Sequence, residues 1–123
     1  MIKQDEFLSN LAELRIRIAN ACTECGRDPE EVCLLPVTKN WPVDAVQYCK
    51  AAGILRVGEN RVQEAITKQD AMSGVSWDLI GHLQTNKVNQ AVGRFSRIQT
   101  LDSLKLIRKV QAASERSDQK TSV

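Results

Sequence analysis

Residues 34–46 read LLPVTKNWPVDAV, an apolar run that ends on Lys39 and restarts at once as a helix after Pro42. Together with the two preceding residues, VCLLPV at 32–37 has the short, nearly continuous apolar character of a strand covered on both faces. Pro42 suits the start of a helix, which the pattern carries through Ala45, Val46 and Cys49 to Gly53. A lysine at such a boundary has two readings: a solvated charge closing a strand, or an amine held at the mouth of a pocket. An exposed lysine has a pKa of about 10.4, and burial among apolar groups lowers it toward a nucleophilic amine.

The same strand-then-helix rhythm repeats downstream. ILRV at 54–57 precedes a helical pattern with Val62, Ala65, Ile66 and Met72 on one side. WDLIG at 77–81 precedes one carrying Val88, Ala91 and Val92, and SRIQT at 96–100 precedes Leu104, Ile107 and Val110. Strands starting near 32, 54, 77 and 96 give four β–α units, which implies an α/β fold with a parallel sheet. Upstream, Phe7, Leu11, Leu14, Ile18 and Cys22 mark one face of a leading helix that Gly26 should stop. The domain reading is one domain over 1–123, with a flexible polar tail at 117–123.

Composition excludes several classes. Of the 123 residues, 42% are hydrophobic and 26% charged, as in an ordinary globular protein. A net charge of +2 argues for neither a nucleic-acid nor a membrane partner. No apolar stretch approaches the roughly 20 residues that span a bilayer. MIKQDEFLSN has acidic residues where a signal peptide would be apolar, so a cytoplasmic location is expected. Cys22 and Cys25 have C-x-x-C spacing, but Cys33 and Cys49 stand singly, so reduced structural thiols are expected and no metal site.

Parallel β–α folds place ligands beyond the carboxyl ends of their strands. The polar residues there are Lys39, then Glu59 and Asn60, then His82 with Gln84, Asn86 and Lys87, then Asp102. Each has a plain structural alternative: Asn60 as a helix cap, His82 as a strand-end polar group, Lys87 as a solvated helix start. Four such clusters at four successive strand ends carry more weight than any one.

Together, LLPVTKN, VGENRVQEA, WDLIGHLQTNK and IQTLDSLKL resemble the N-terminal half of the pyridoxal phosphate homeostasis protein family, and the likeness covers nearly residues 5–115. The resemblance implies a parallel β/α barrel of the alanine-racemase N-terminal-domain type, present here as about four β–α units. It implies pyridoxal 5′-phosphate as cofactor, joined to Lys39 as an aldimine, with Asn60 and His82 lining the same barrel mouth. It implies a carrier or regulator in vitamin B6 homeostasis rather than an enzyme with turnover.

The chain departs from the family pattern at Pro36, at Asp78 where histidine is common, and at Trp41 where a polar or basic residue is usual. A full barrel takes about 200 residues or more. The later phosphate-binding loops have no counterpart, so weak cofactor binding is expected, with self-association or a separate C-terminal half as partner. Two other readings stay open. One is a truncated or degenerate half-barrel that binds no cofactor and acts as an interaction module. The other is a racemase or decarboxylase of the same barrel class, for which no second catalytic base is evident.

Overall fold

Pro36 decides what becomes of the first expected strand. Proline has no N–H, so a strand through 32–37 cannot keep a continuous ladder across it. The computed structural model describes residues 2–123, and in it this stretch forms only an isolated parallel bridge between Val37 and Gly58. Gly58 N–H donates to Pro36 O at 2.8 Å, and Thr38 N–H donates to Gly58 O at 3.0 Å. The expected strand covered on both faces is thus corrected: Cys33 is exposed and Val37 is 45% exposed.

The chain divides between Leu35 and Pro36 into two units. The first contains helix α1 (Gln4–Cys25) and a short 3-10 turn at Pro29–Glu31. Gly26 ends α1 in the left-handed region at φ 70°, which lets Arg27 N–H reach back to Cys22 O at 2.9 Å. Asp28 then caps the 3-10 turn, accepting from Glu30 N–H at 3.0 Å. Of the expected α1 stripe, Leu11 and Cys22 are buried and Phe7 and Ile18 half-buried, while Leu14 is exposed.

The second unit carries the sheet. Strands β1 (Arg56–Glu59), β2 (Ser76–Leu79) and β3 (Arg97–Ile98) are parallel and lie in the order β1-β2-β3. Helices α2 (Val43–Ala51), α3 (Val62–Ala71), α4 (Val88–Ala91) and α5 (Leu104–Arg116) alternate with them. Three strands form among the described residues where four were expected, because the first is reduced to the Val37 bridge.

Register aligns Val57 with Trp77 and Glu59 with Leu79, and Leu79 in turn with Ile98. All five are buried, as alternation along a strand requires of one sheet face. Val46, Leu83 and Leu106 are also fully buried around them. Glu59 is the anomaly in that layer: a carboxylate with 0% exposure, which has to find partners.

Ser103 fixes the start of α5 by accepting from Leu106 N–H at 3.1 Å. From that start Leu106, Val110 and Ala113 turn inward at helical spacing. Of the residues that mark this helix in the sequence, Val110 is buried, whereas Leu104 and Ile107 are 70% and 43% exposed. Residues 117–123, expected as a flexible tail, return to the sheet. Ile98 N–H donates to Ser122 O at 2.9 Å, and Arg97 bridges Ser122 in parallel. Among the described residues no helix is long and apolar enough to cross a membrane.

Candidate functional site

Lys39 lies in the turn that follows the Val37 bridge, and its side chain is exposed. The residues on either side of it are not free. Thr38 is 3% exposed, and its hydroxyl donates to Glu59 Oε1 at 2.6 Å. Asn40 adopts φ 62°, a left-handed conformation asparagine tolerates, and its N–H donates to Glu64 Oε1 at 2.6 Å.

Lys68 of α3 joins these groups. Its ammonium donates to Thr38 O at 2.6 Å, Glu59 Oε1 at 2.6 Å and Glu64 Oε1 at 2.9 Å. An ammonium has three protons, and three acceptors take them. Both ion pairs are close, and the Lys68 side chain is only 7% exposed. Burial alone would push the Glu64 carboxyl up. The hydrogen bonds from Lys68 and Asn40 N–H, with the charges of Lys68 and Arg61, outweigh it and hold Glu64 below its ordinary 4.5. Glu59 Oε2 has no hydrogen-bond partner among the described residues.

Asn60 and His82 come together elsewhere on the sheet's carboxyl end. Gly81 brings them there, because its lack of a side chain lets it pass directly over the Asn60 backbone. Asn60, Gly81, His82, Gln84 and Lys87, with Arg61, line a cavity of about 460 Å³. His82 Nδ1 lies 3.4 Å from Asp102 Oδ2, both side chains being well exposed. Lys39 and Asn60 each stand two residues past the bridged pair Val37 and Gly58, and so at the same end of the sheet. Lys39 does not line the Asn60–His82 cavity. A second cavity of about 520 Å³ opens beside its turn, between Trp41 and Pro42 on one side and Glu64 and Lys68 on the other. A third, about 650 Å³, lies between α5 and residues 118–123 and contains none of the three expected site residues.

Asp78 is 1% exposed. It accepts from Gln99 Nε2 at 3.0 Å and lies 3.7 Å from Arg56 Nε. Glu59, Glu64 and Lys68 are the residues that sequence reasoning did not connect. The four-residue step from Glu64 to Lys68 is a visible ion-pair signal, but it is the usual mark of an exposed helix face.

No family model matches the chain. Curated proteins do. The pyridoxal phosphate homeostasis protein of Escherichia coli (strain K12) is 37% identical over 107 residues, covering 83% of this chain and 46% of that protein. Those of Pseudomonas aeruginosa and Mycobacterium leprae are 37% and 32% identical over 103 and 116 residues. The chain is a relative of the pyridoxal phosphate homeostasis proteins. It spans about half the length of the curated homeostasis proteins it matches.

Solved structures agree with that relationship. PipY of Synechococcus elongatus PCC7942 without PLP aligns with a TM-score of 0.71 at 34% identity, covering 85% of this chain and 50% of that one. The structure of PipY with PLP bound aligns at 0.70 and 35% identity, covering 82% and 49%. A crystal structure of a protein from Bifidobacterium adolescentis reaches 0.88 at 24% identity over 98% of this chain and 55% of that one, a likeness of fold alone.

Proposed function

We propose that this chain forms part of a pyridoxal 5′-phosphate-binding protein of vitamin B6 homeostasis, with Lys39 as the residue that holds the cofactor covalently. The observation that carries this reading is the turn at Lys39. An exposed amine projects from a backbone pinned on both sides, at the end of the sheet where Asn60 and His82 also stand. When bound, the cofactor supplies an aldehyde that a lysine amine attacks reversibly. Lys39 offers that amine, and Asn60 and His82 supply polar groups in a separate cavity at the same end of the sheet. The role is that of a carrier or regulator without turnover.

We read the parallel sheet as part of a β/α barrel of the alanine-racemase N-terminal-domain type. The alternation of strand and helix supports this, as does the parallel bridge at Ser122, which stands where a further strand would follow α5. The expected partner is a second copy or a separate C-terminal half that supplies phosphate-binding loops. The four free cysteines favour the reducing cytoplasm.

A second reading, an interaction module that binds no cofactor, is favoured by Lys39 lying outside the cavity of Asn60 and His82. Borohydride reduction in the presence of pyridoxal phosphate, followed by peptide mass mapping, separates the two. The cofactor reading expects the reduced adduct on Lys39 and its loss in Lys39→Ala. An adduct confined to Lys50 or Lys87, or none at all, supports the second.

A further inference from the structure

We propose that Lys68 is the positioning residue of Lys39, acting through the backbone on both sides of it. The part of this inference that concerns the cofactor rests on the function proposed above. A lysine in an exposed turn carries a flexible four-carbon stem, so the reach of its amine is set by where its backbone is held. Here that backbone is tied to α3. Lys68 bonds the Thr38 carbonyl directly, and it reaches Asn40 through Glu64, whose Oε1 accepts from both Lys68 Nζ and Asn40 N–H. The Thr38 hydroxyl and Lys68 also share Glu59 Oε1, so β1 belongs to the same clamp.

Lys68 is itself unsuited to covalent chemistry. It is 6% exposed, and each of its protons is engaged, two of them on carboxylates. Its buried nitrogen is engaged by the Thr38 carbonyl and the Glu59 and Glu64 carboxyls, whereas an amine that attacks a carbonyl must be free to approach it. The clamp therefore divides two lysines by role: Lys39 is presented to solvent and Lys68 is withheld from it. Holding a reacting amine in one place raises its effective concentration toward a bound aldehyde.

Amide hydrogen exchange followed by NMR tests the clamp without cofactor, on wild type, Lys68→Met and Glu64→Ala. Exchange at Asn40 and Thr38 should quicken about tenfold in Lys68→Met, the factor one charge-assisted hydrogen bond carries. Amides of β2 and α5 should stay unchanged. With pyridoxal phosphate and borohydride, trapping at Lys39 should fall relative to trapping at Lys50, and Lys68→Arg should recover part of that ratio. If Lys68→Met does not fold, Glu64→Ala tests the Asn40 arm of the clamp, and the Lys39 to Lys50 trapping ratio in Lys68→Arg tests Lys68 itself. The Glu64 side chain is 23% exposed, and its removal leaves the Glu59–Lys68 pair in place. Unchanged exchange at Asn40 in the folded variants overturns the proposal, and so does an unchanged Lys39 to Lys50 ratio. A wild type that is never trapped at Lys39 refutes the cofactor reading instead, and the exchange result still decides the clamp.

Discussion

Gly81 and Asn60 are in backbone contact: a methyl group added at Gly81 would lie 2.7 Å from Asn60 Cα and closer still to its carbonyl oxygen. Both are backbone atoms and cannot swing aside. Gly81→Ala should therefore destabilise the fold by about 1–3 kcal/mol, the usual cost of overpacking. Urea denaturation measures the loss. NMR shifts should move at Asn60 and His82.

Thr38 tests the buried hydrogen bond to Glu59. Thr38→Val keeps the shape but removes the donor to a fully buried carboxylate. A hydrogen bond to a charged group contributes about 1.5–3 kcal/mol, and Thr38→Val should lose that much. Thr38→Ser keeps the hydroxyl and should lose less. Equal midpoints for the two variants in chemical denaturation would contradict the assignment.

Glu64 predicts a direction for acid sensitivity. Its carboxyl is held below 4.5 in the folded state, so the unfolded chain binds the proton more readily. The stability it contributes is full above its unfolded value and is lost as pH falls through the lower folded one. Melting temperature followed downward from pH 5 should drop less steeply in Glu64→Gln than in wild type.

The four cysteines should divide into two pairs toward alkylation. Cys25 and Cys33 are exposed, whereas Cys22 and Cys49 are 4% and 1% exposed. Burial also pushes the Cys49 thiol up, against the smaller effect of a backbone hydrogen bond, leaving it short of thiolate. Under native conditions iodoacetamide should modify Cys25 and Cys33 first. Early modification of Cys49 would contradict its placement.

Helix α5 offers a packing test. Leu106→Ala removes a side chain that is 1% exposed and should cost about 2–5 kcal/mol. Leu104→Ala, at a site 70% exposed, should cost little. Thermal melts of the two variants distinguish this face from the one that periodicity favours.

The contrast at α5 shows what the sequence made legible. Capping residues and periodicity locate helices well: Gly26 and Pro42 each mark a boundary close to where it falls. Which residues of a helix face inward depends on what lies against them: Leu104, Ile107 and Val110 mark α5, but only Val110 of the three is buried. The parallel order of the sheet followed from alternation, but the strand at 32–37 did not form, because Pro36 could not donate. Lys39, Asn60 and His82 stood out by position at strand ends. Lys68 did not, because lysine in a helix reads as solvated, and only folding shows that β1 places a buried carboxylate opposite it.

The parallel bridge at Ser122 bears on what can add to this sheet. A sheet edge with open N–H groups is a template for any extended chain. On the outer side of β3 the Ile98 donor is already taken by the Ser122 carbonyl, and the Ser114 and Thr121 hydroxyls, 2.7 Å apart, tether that segment to α5. A strand arriving from elsewhere must therefore dislodge Thr121–Val123 or join beyond it. An incoming segment thus competes against a neighbour already hydrogen-bonded to β3 from the same chain.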